Sequence, residues 1–268
     1  MAGKRRRSTL TAEQLLELFD LLAGADSAEL KLTVPEGQTN ATVRALGIDP
    51  LDARIRQVFF FDTPDLTLND AGVVLRARRM QDSAADTVVK LRPVVPDAIP
   101  ADRRTDPNFG IEVDAIPGGF VCSASLTGTS TNAEVWDVLD GRRPIRKLFS
   151  KAQRSYFDEH APHGIGLDDV KVLGPVNALK LKFKPKELRR KLAVELWFYP
   201  NGSRILELST KCAPGETFQV ADETKAYLLA RGIDLTGEQQ TKTKGALQYF
   251  SQLVAKTASQ TGEPSARG

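Results

Sequence analysis

Charged residues fall two apart in several short segments of this chain, and that spacing constrains its fold most. Glu29 and Lys31 flank Leu30, Arg76 and Arg78 flank Ala77, and Glu112 and Asp114 flank Val113. Lys180, Lys182 and Lys184 extend the same pattern. Side chains two apart on a strand share a face, so each segment reads as a strand with one charged and one apolar side. Alternation alone leaves two arrangements open. The charged faces are solvated on an ordinary sheet, or they turn inward and line a polar tunnel for a multiply charged anion.

Composition narrows the choice. The chain has 268 residues, with 37 basic and 34 acidic side chains and a net charge of +3. Hydrophobic residues make up 41%, enough for a sizeable core. A general nucleic-acid binder usually carries a larger, clustered basic excess, so no specific nucleic-acid partner is expected. No apolar run approaches the roughly 20 residues of a membrane helix, so no membrane partner is expected either. The basic start, Lys4 to Arg7, is followed by no apolar stretch and is not read as a signal peptide. Cys122 and Cys212 lie far apart and suggest neither a metal motif nor a disulfide framework, which points to a reducing cytoplasm. His160 and His163 sit in a Pro/Gly-containing segment and read as loop residues.

The order of elements follows from local signals. Residues 1–10 read as a flexible basic tail. Thr11 and Gln14 form a capping-box pattern ahead of a leucine stripe that Gly24 stops. Strands are expected over 27–34, 54–61, 73–80, 87–93, 110–116, 149–158, 178–184, 191–199 and 203–211. Pro200-Asn201-Gly202 joins the last two as a hairpin. Short helices are expected near 41–47 and 132–139, and longer ones over 223–231 and 244–256. Residues 118–132 show only weak patterning. The Ser/Thr/Gly-rich stretch 257–268 reads as a disordered tail. Strands joined by short polar turns, with few helices, imply one closed antiparallel sheet over 11–256.

Three consecutive pieces carry a family resemblance. They are Phe60-Phe61-Asp62-Thr63-Pro64-Asp65-Leu66, then Gly72-Val73-Val74-Leu75-Arg76-Ala77-Arg78, then Thr87-Val88-Val89-Lys90. Their order and spacing resemble those of the CYTH superfamily, the triphosphate tunnel metalloenzymes. The resemblance spans about residues 28–250, is strongest over 58–93 and weakens in the second half. It implies an α+β, mainly antiparallel fold: a closed eight-stranded barrel with flanking helices and charged residues pointing into a tunnel. It also implies hydrolysis of inorganic or organic triphosphates with Mg2+ or Mn2+, or cyclisation of ATP.

Site residues carried over from the resemblance are the following. Glu29 and Lys31 match the second acid and the lysine of an opening Glu-x-Glu-x-Lys strand, while Ser27 stands at the first acid. Glu29, Glu195 and Glu207 are the expected metal ligands, and Glu29, Lys31 and Glu207 the expected catalytic set. Lys31, Arg76, Arg78, Lys90, Arg154, Lys211 and Lys244 are the expected phosphate contacts. Glu112 and Asp114 match an acidic strand that orients tunnel arginines. Ser209 replaces the second acid of a Glu-x-Glu strand.

The physics agrees with these residue types. Arginine forks pair bidentately with phosphate. Magnesium prefers carboxylate oxygens completed by water and substrate phosphate. No Ser-His-Asp or Cys-His set offers a covalent route. Two lost carboxylates weaken the metal site. The expected activity is therefore a metal-dependent triphosphatase, with a non-catalytic triphosphate or polyphosphate binder as alternative and an adenylyl cyclase third, since no base-binding feature is evident.

Overall fold

The computed structural model describes residues 10–235, 239 and 242–261, of which 255–261 are described by backbone alone. The 1–10 tail expected from sequence lies outside the described residues except for Leu10.

Among the described residues, nine strands close into a barrel. In chain order they are β1 (Ser27–Val34), β2 (Arg54–Asp62), β3 (Val73–Met80), β4 (Ala85–Leu91), β5 (Phe109–Ile116), β6 (Gly119–Ser130), β7 (Lys171–Phe183), β8 (Leu192–Phe198) and β9 (Arg204–Cys212). Around the barrel they run β1-β5-β6-β4-β3-β2-β7-β8-β9, and β9 returns to β1. All neighbours are antiparallel except β1 and β5, which pair in parallel with Glu29 opposite Asp114. The expected closed barrel is therefore present, with nine strands rather than eight and one parallel seam.

Two segments account for the differences in detail. Residues 119–130 form β6, whose inward positions Ser123, Ser125 and Thr127 are too small and mildly polar to produce a clear alternation. Residues 149–158, expected as a strand, contain instead the helix α5 (Lys151–Asp158). The Ser150 side chain accepts from Gln153 N, and the Gln153 side chain accepts from Ser150 N, a complete capping box. Local capping thus outweighs the alternation that suggested a strand.

Helices cover the outside. The helix α1 (Ala12–Gly24) begins at the expected Thr11–Gln14 capping box. Its Leu18 and Leu22 pack on Ala28, Ile111, Val113 and Cys122, together with Val220 of α6 (Thr217–Ala230). The helix α2 (Thr39–Leu46) joins the cluster outside β1, β8 and β9. The short helix α3 (Thr67–Asp70), α4 (Asn132–Leu139) and α5 cover β3, β4 and β6.

Asp62 explains the Phe-Phe-Asp-Thr-Pro segment structurally. Its buried carboxylate accepts from the backbone N–H of Thr63 (2.7 Å), Leu68 (2.9 Å) and Asn69 (3.0 Å), which fixes the turn into α3. Gly72 then takes φ +76°, and a Cβ there would lie 2.7 Å from the Arg92 carbonyl oxygen. Only glycine allows β3 and the end of β4 to approach this closely.

One end of the barrel is filled from within. Inward-facing Val58, Phe60 and Trp197 pack with Ala246, Leu247 and Phe250 of the helix α7 (Lys242–Thr261). This helix runs beyond residue 256, so 257–261 are helical rather than part of a disordered tail, and 262–268 lie outside the described residues. No helix among the described residues is long and apolar enough to cross a membrane.

Candidate functional site

The rest of the barrel interior is a cavity of about 460 Å3. The alternation that defines each strand brings charge inward: Glu29 and Lys31 from β1, Arg56 from β2, Arg76 and Arg78 from β3, Lys90 from β4, and Glu112 and Asp114 from β5. Lys180, Glu195, Glu207 and Lys211 follow from β7, β8 and β9. Among the described residues, nine cations and six carboxylates line the cavity, an excess of positive charge.

Most of these charges are paired. Lys31 Nζ lies 2.6 Å from Asp114 Oδ1 and 3.0 Å from Glu29 Oε2. Burial works against charge on Lys31, but Asp114 and Glu29 outweigh it and hold the ammonium above its ordinary pKa. Burial likewise raises Glu29, yet Lys31 and a hydrogen bond with Ser209 bring its net pKa below normal. Asp114 also faces Arg92 at 3.4 Å and Lys90 at 3.9 Å. Lys90 is pulled down to about 8 by burial, which Asp114 only partly offsets. Arg78 chelates Asp86, and Lys211 pairs with Glu112.

Arg56 and Arg76 differ. Among the described residues they alone of the nine cavity cations have no carboxylate within ion-pair distance, and the Nε of each is buried without a hydrogen-bond partner. Arg76 is pulled down to about 10, chiefly by burial and then by Arg78 beside it. Buried polar groups are normally satisfied. Two guanidiniums without a carboxylate on one cavity wall have the chemistry to take an anion.

The carboxylates fall into two groups. Oxygens of Glu29, Glu112 and Asp114 lie within 4.8 Å of one another, and Asp114 Oδ2 is buried without a hydrogen bond. Three converging carboxylates, one with an oxygen that Arg92 and Lys90 face without a hydrogen bond, offer the oxygen ligands a hard divalent cation such as Mg2+ or Mn2+ takes. Glu195 and Glu207 form a separate pair, opposite each other on β8 and β9. Lys242 bridges them, and Lys180 holds the other oxygen of Glu195. Burial would raise Glu195, but Lys242 and Lys180 hold it well below the carboxylate range. Glu207 is raised because burial exceeds the pull of Lys242 and Lys31. The ligand set expected from sequence is thus split, with Glu29 in one group and Glu195 and Glu207 in the other.

Two expected phosphate contacts lie elsewhere. Arg154 is on α5, outside the barrel, where its guanidinium donates to the Phe149 carbonyl at 2.7 Å. Its placement on a strand was the error, since a helix turns that side chain away from the tunnel. Lys244 is an exposed side chain on α7, and Lys242, one half-turn earlier, is the one that enters the cavity. Of Lys180, Lys182 and Lys184, Lys180 alone lines the cavity; Lys182 near the end of β7 and Lys184 just past it are exposed. Sequence reasoning missed Arg56, Asp86 and Arg92. Arg56 was legible, since it shares its face with Val58 and Phe60 two and four residues on.

No protein-family model matches the chain, and no curated protein matches it. Solved structures do. A candidate adenylate cyclase from Bacillus halodurans superposes with TM-score 0.56 at 14% identity, over 82% of this chain and 98% of that one. A candidate adenylyl cyclase from Hippeastrum, with a dominant triphosphatase activity, superposes with TM-score 0.58 at 17% identity, over 79% and 91%. At such identities the likeness is one of fold alone, a closed barrel with flanking helices.

Proposed function

We propose that this chain, whose barrel has the CYTH tunnel fold, is a metal-dependent hydrolase of inorganic triphosphate or an organic triphosphate. The observation that carries the reading is the pair of half-buried guanidiniums, Arg56 and Arg76, which among the described residues have no carboxylate within ion-pair distance, in a cavity where every other cation has one. A linear triphosphate supplies several negative charges in a row, and the cavity has the volume to enclose it. Arg56 and Arg76 would grip it first. Arg78, Lys90 and Lys31 would add contacts by sharing charge they now give to carboxylates. Enclosure would exclude bulk water and strengthen each of these contacts.

Glu29, Glu112 and Asp114 would hold the divalent cation. Bound there, Mg2+ or Mn2+ would supply Lewis-acid polarisation of a phosphoryl oxygen and an acidified water. Lys31, between Glu29 and Asp114, would keep both carboxylates ionised and oriented. We propose a cytoplasmic setting, in keeping with two buried cysteines that remain unpaired. The fold neighbour with triphosphatase activity supports the choice of hydrolysis over cyclisation.

A second reading, binding of triphosphate or polyphosphate without turnover, is favoured by Ser27 and Ser209. They stand where the resemblance expects acids: Ser27 Oγ donates to Glu112 at 3.4 Å, and Ser209 lies opposite Lys31 across β1 and β9. Phosphate release from inorganic triphosphate, measured with Mg2+, with Mn2+ and with chelator, separates the two. Metal-dependent release that Arg76→Ala abolishes is expected. Tight binding with no release under any metal would replace the enzyme with the binder.

A further inference from the structure

Glu195 and Glu207 face each other across β8 and β9, and Glu207 is only 6% exposed. Two buried carboxylates so placed need cations. Lys242, the first residue of α7, supplies one: its Nζ lies 2.7 Å from Glu207 Oε1 and contacts Glu195 Oε2. Lys180 supplies the other, on Glu195 Oε1. Charge at the pair is therefore balanced by the chain itself.

A third group tells which kind of cation the place suits. The Trp197 ring centroid lies 5.0 Å from Lys242 Nζ, and Trp197 Nε1 donates to Glu195 Oε2 at 3.3 Å. An indole face attracts an ammonium. It offers nothing to a hard divalent cation, which needs a shell of oxygens. Two carboxylates beside an aromatic face form an ammonium cage. The main chain is fastened as well, because Tyr199 OH donates to the Lys242 carbonyl at 3.3 Å.

We propose that the Lys242 ammonium is the resident cation of the Glu195–Glu207 pair, closing that half of the tunnel to divalent metal and pinning the first turn of α7 across the tunnel floor. The proposal rests on the tunnel reading only for its corollary, that any divalent cation of the native protein binds at Glu29, Glu112 and Asp114. The rest of α7 is anchored independently by Ala246, Leu247 and Phe250.

The test is the number of Mn2+ ions bound per chain, read from the electron paramagnetic resonance of free Mn2+. Lys242→Met should bind one Mn2+ more than the wild type. Lys242→Arg, which keeps the charge, should bind no more than the wild type. Adding Glu207→Gln to Lys242→Met should remove the extra ion. Glu207→Gln alone should leave wild-type Mn2+ binding unchanged, a readout that does not depend on how Lys242→Met folds. The proposal is overturned if Lys242→Met binds no extra Mn2+, or if Glu207→Gln alone reduces Mn2+ binding. Glu29→Gln separates the two readings. If wild-type Mn2+ survives that change, the proposed cation site of the hydrolase fails while the Lys242 result stands.

Discussion

Replacing Arg76 by methionine should make the free protein more stable and unable to hold its anion. Folding pulls the guanidinium down to about 10, well below its ordinary value, chiefly because burial disfavours its charge. At 1.36 kcal/mol per pH unit that is roughly 3 kcal/mol against folding. Cavity water screens part of it and leaves about 2 kcal/mol. The sign follows from the direction of the shift. Below about 10 both states carry the proton, and the full penalty applies; it fades only as pH rises from about 10 towards the unfolded value. At pH 7 Arg76→Met therefore removes the whole penalty, and methionine fills much of the arginine stem's volume.

Urea denaturation at pH 7 should show Arg76→Met about 2 kcal/mol more stable than wild type. Tripolyphosphate should then invert the order. A ligand at 100 times its dissociation constant adds about 2.7 kcal/mol to the wild type, and should add little to the variant. A variant less stable than wild type that still gains full stabilisation from tripolyphosphate would refute the reasoning, because Arg76 would then be a structural residue with a partner.

Lys90, pulled down to about 8, should lose its proton in the free protein as pH rises through that value, so tripolyphosphate affinity should weaken above pH 8; calorimetry of Lys90→Arg should lack that inflection. Arg154→Ala and Lys244→Ala should leave the dissociation constant of tripolyphosphate unchanged, since both side chains lie outside the cavity; a tenfold loss in either would contradict their placement. Asp62→Ala should cost about 2 kcal/mol in urea unfolding by stranding the α3 amides, with a smaller effect on anion affinity than Arg76→Ala.

The barrel was legible because charge alternates with bulky apolar residues on β1, β3, β5 and β9, where one face is polar and the other packs outward. It was not legible in β6, where Cys122, Ala124 and Leu126 pack outward but serines and a threonine face the tunnel, so the contrast between faces is slight. The α5 helix could have been read from Ser150 and Gln153, whose spacing carries the same capping signal as Thr11 and Gln14. Arg76 and Arg78 were placed correctly because a strand's period of two fixes their face. Lys242 and Lys244 could not be told apart, since neighbouring helical positions differ by rotation and only the packing of Ala246, Leu247 and Phe250 sets which one enters the barrel. The grouping of carboxylates depends on the β1–β5 parallel pairing, a contact between distant segments that no local pattern announces.

The most direct test of an anion-gripping tunnel is a crystal structure of the protein with tripolyphosphate in chelator, where hydrolysis is suppressed. The phosphates should lie inside the barrel, with oxygens about 2.8 Å from the guanidiniums of Arg56 and Arg76, and the buried Nε atoms should gain their missing partners. Tripolyphosphate found only on the exposed Lys182 and Lys184, with Arg56 and Arg76 unchanged, would contradict it.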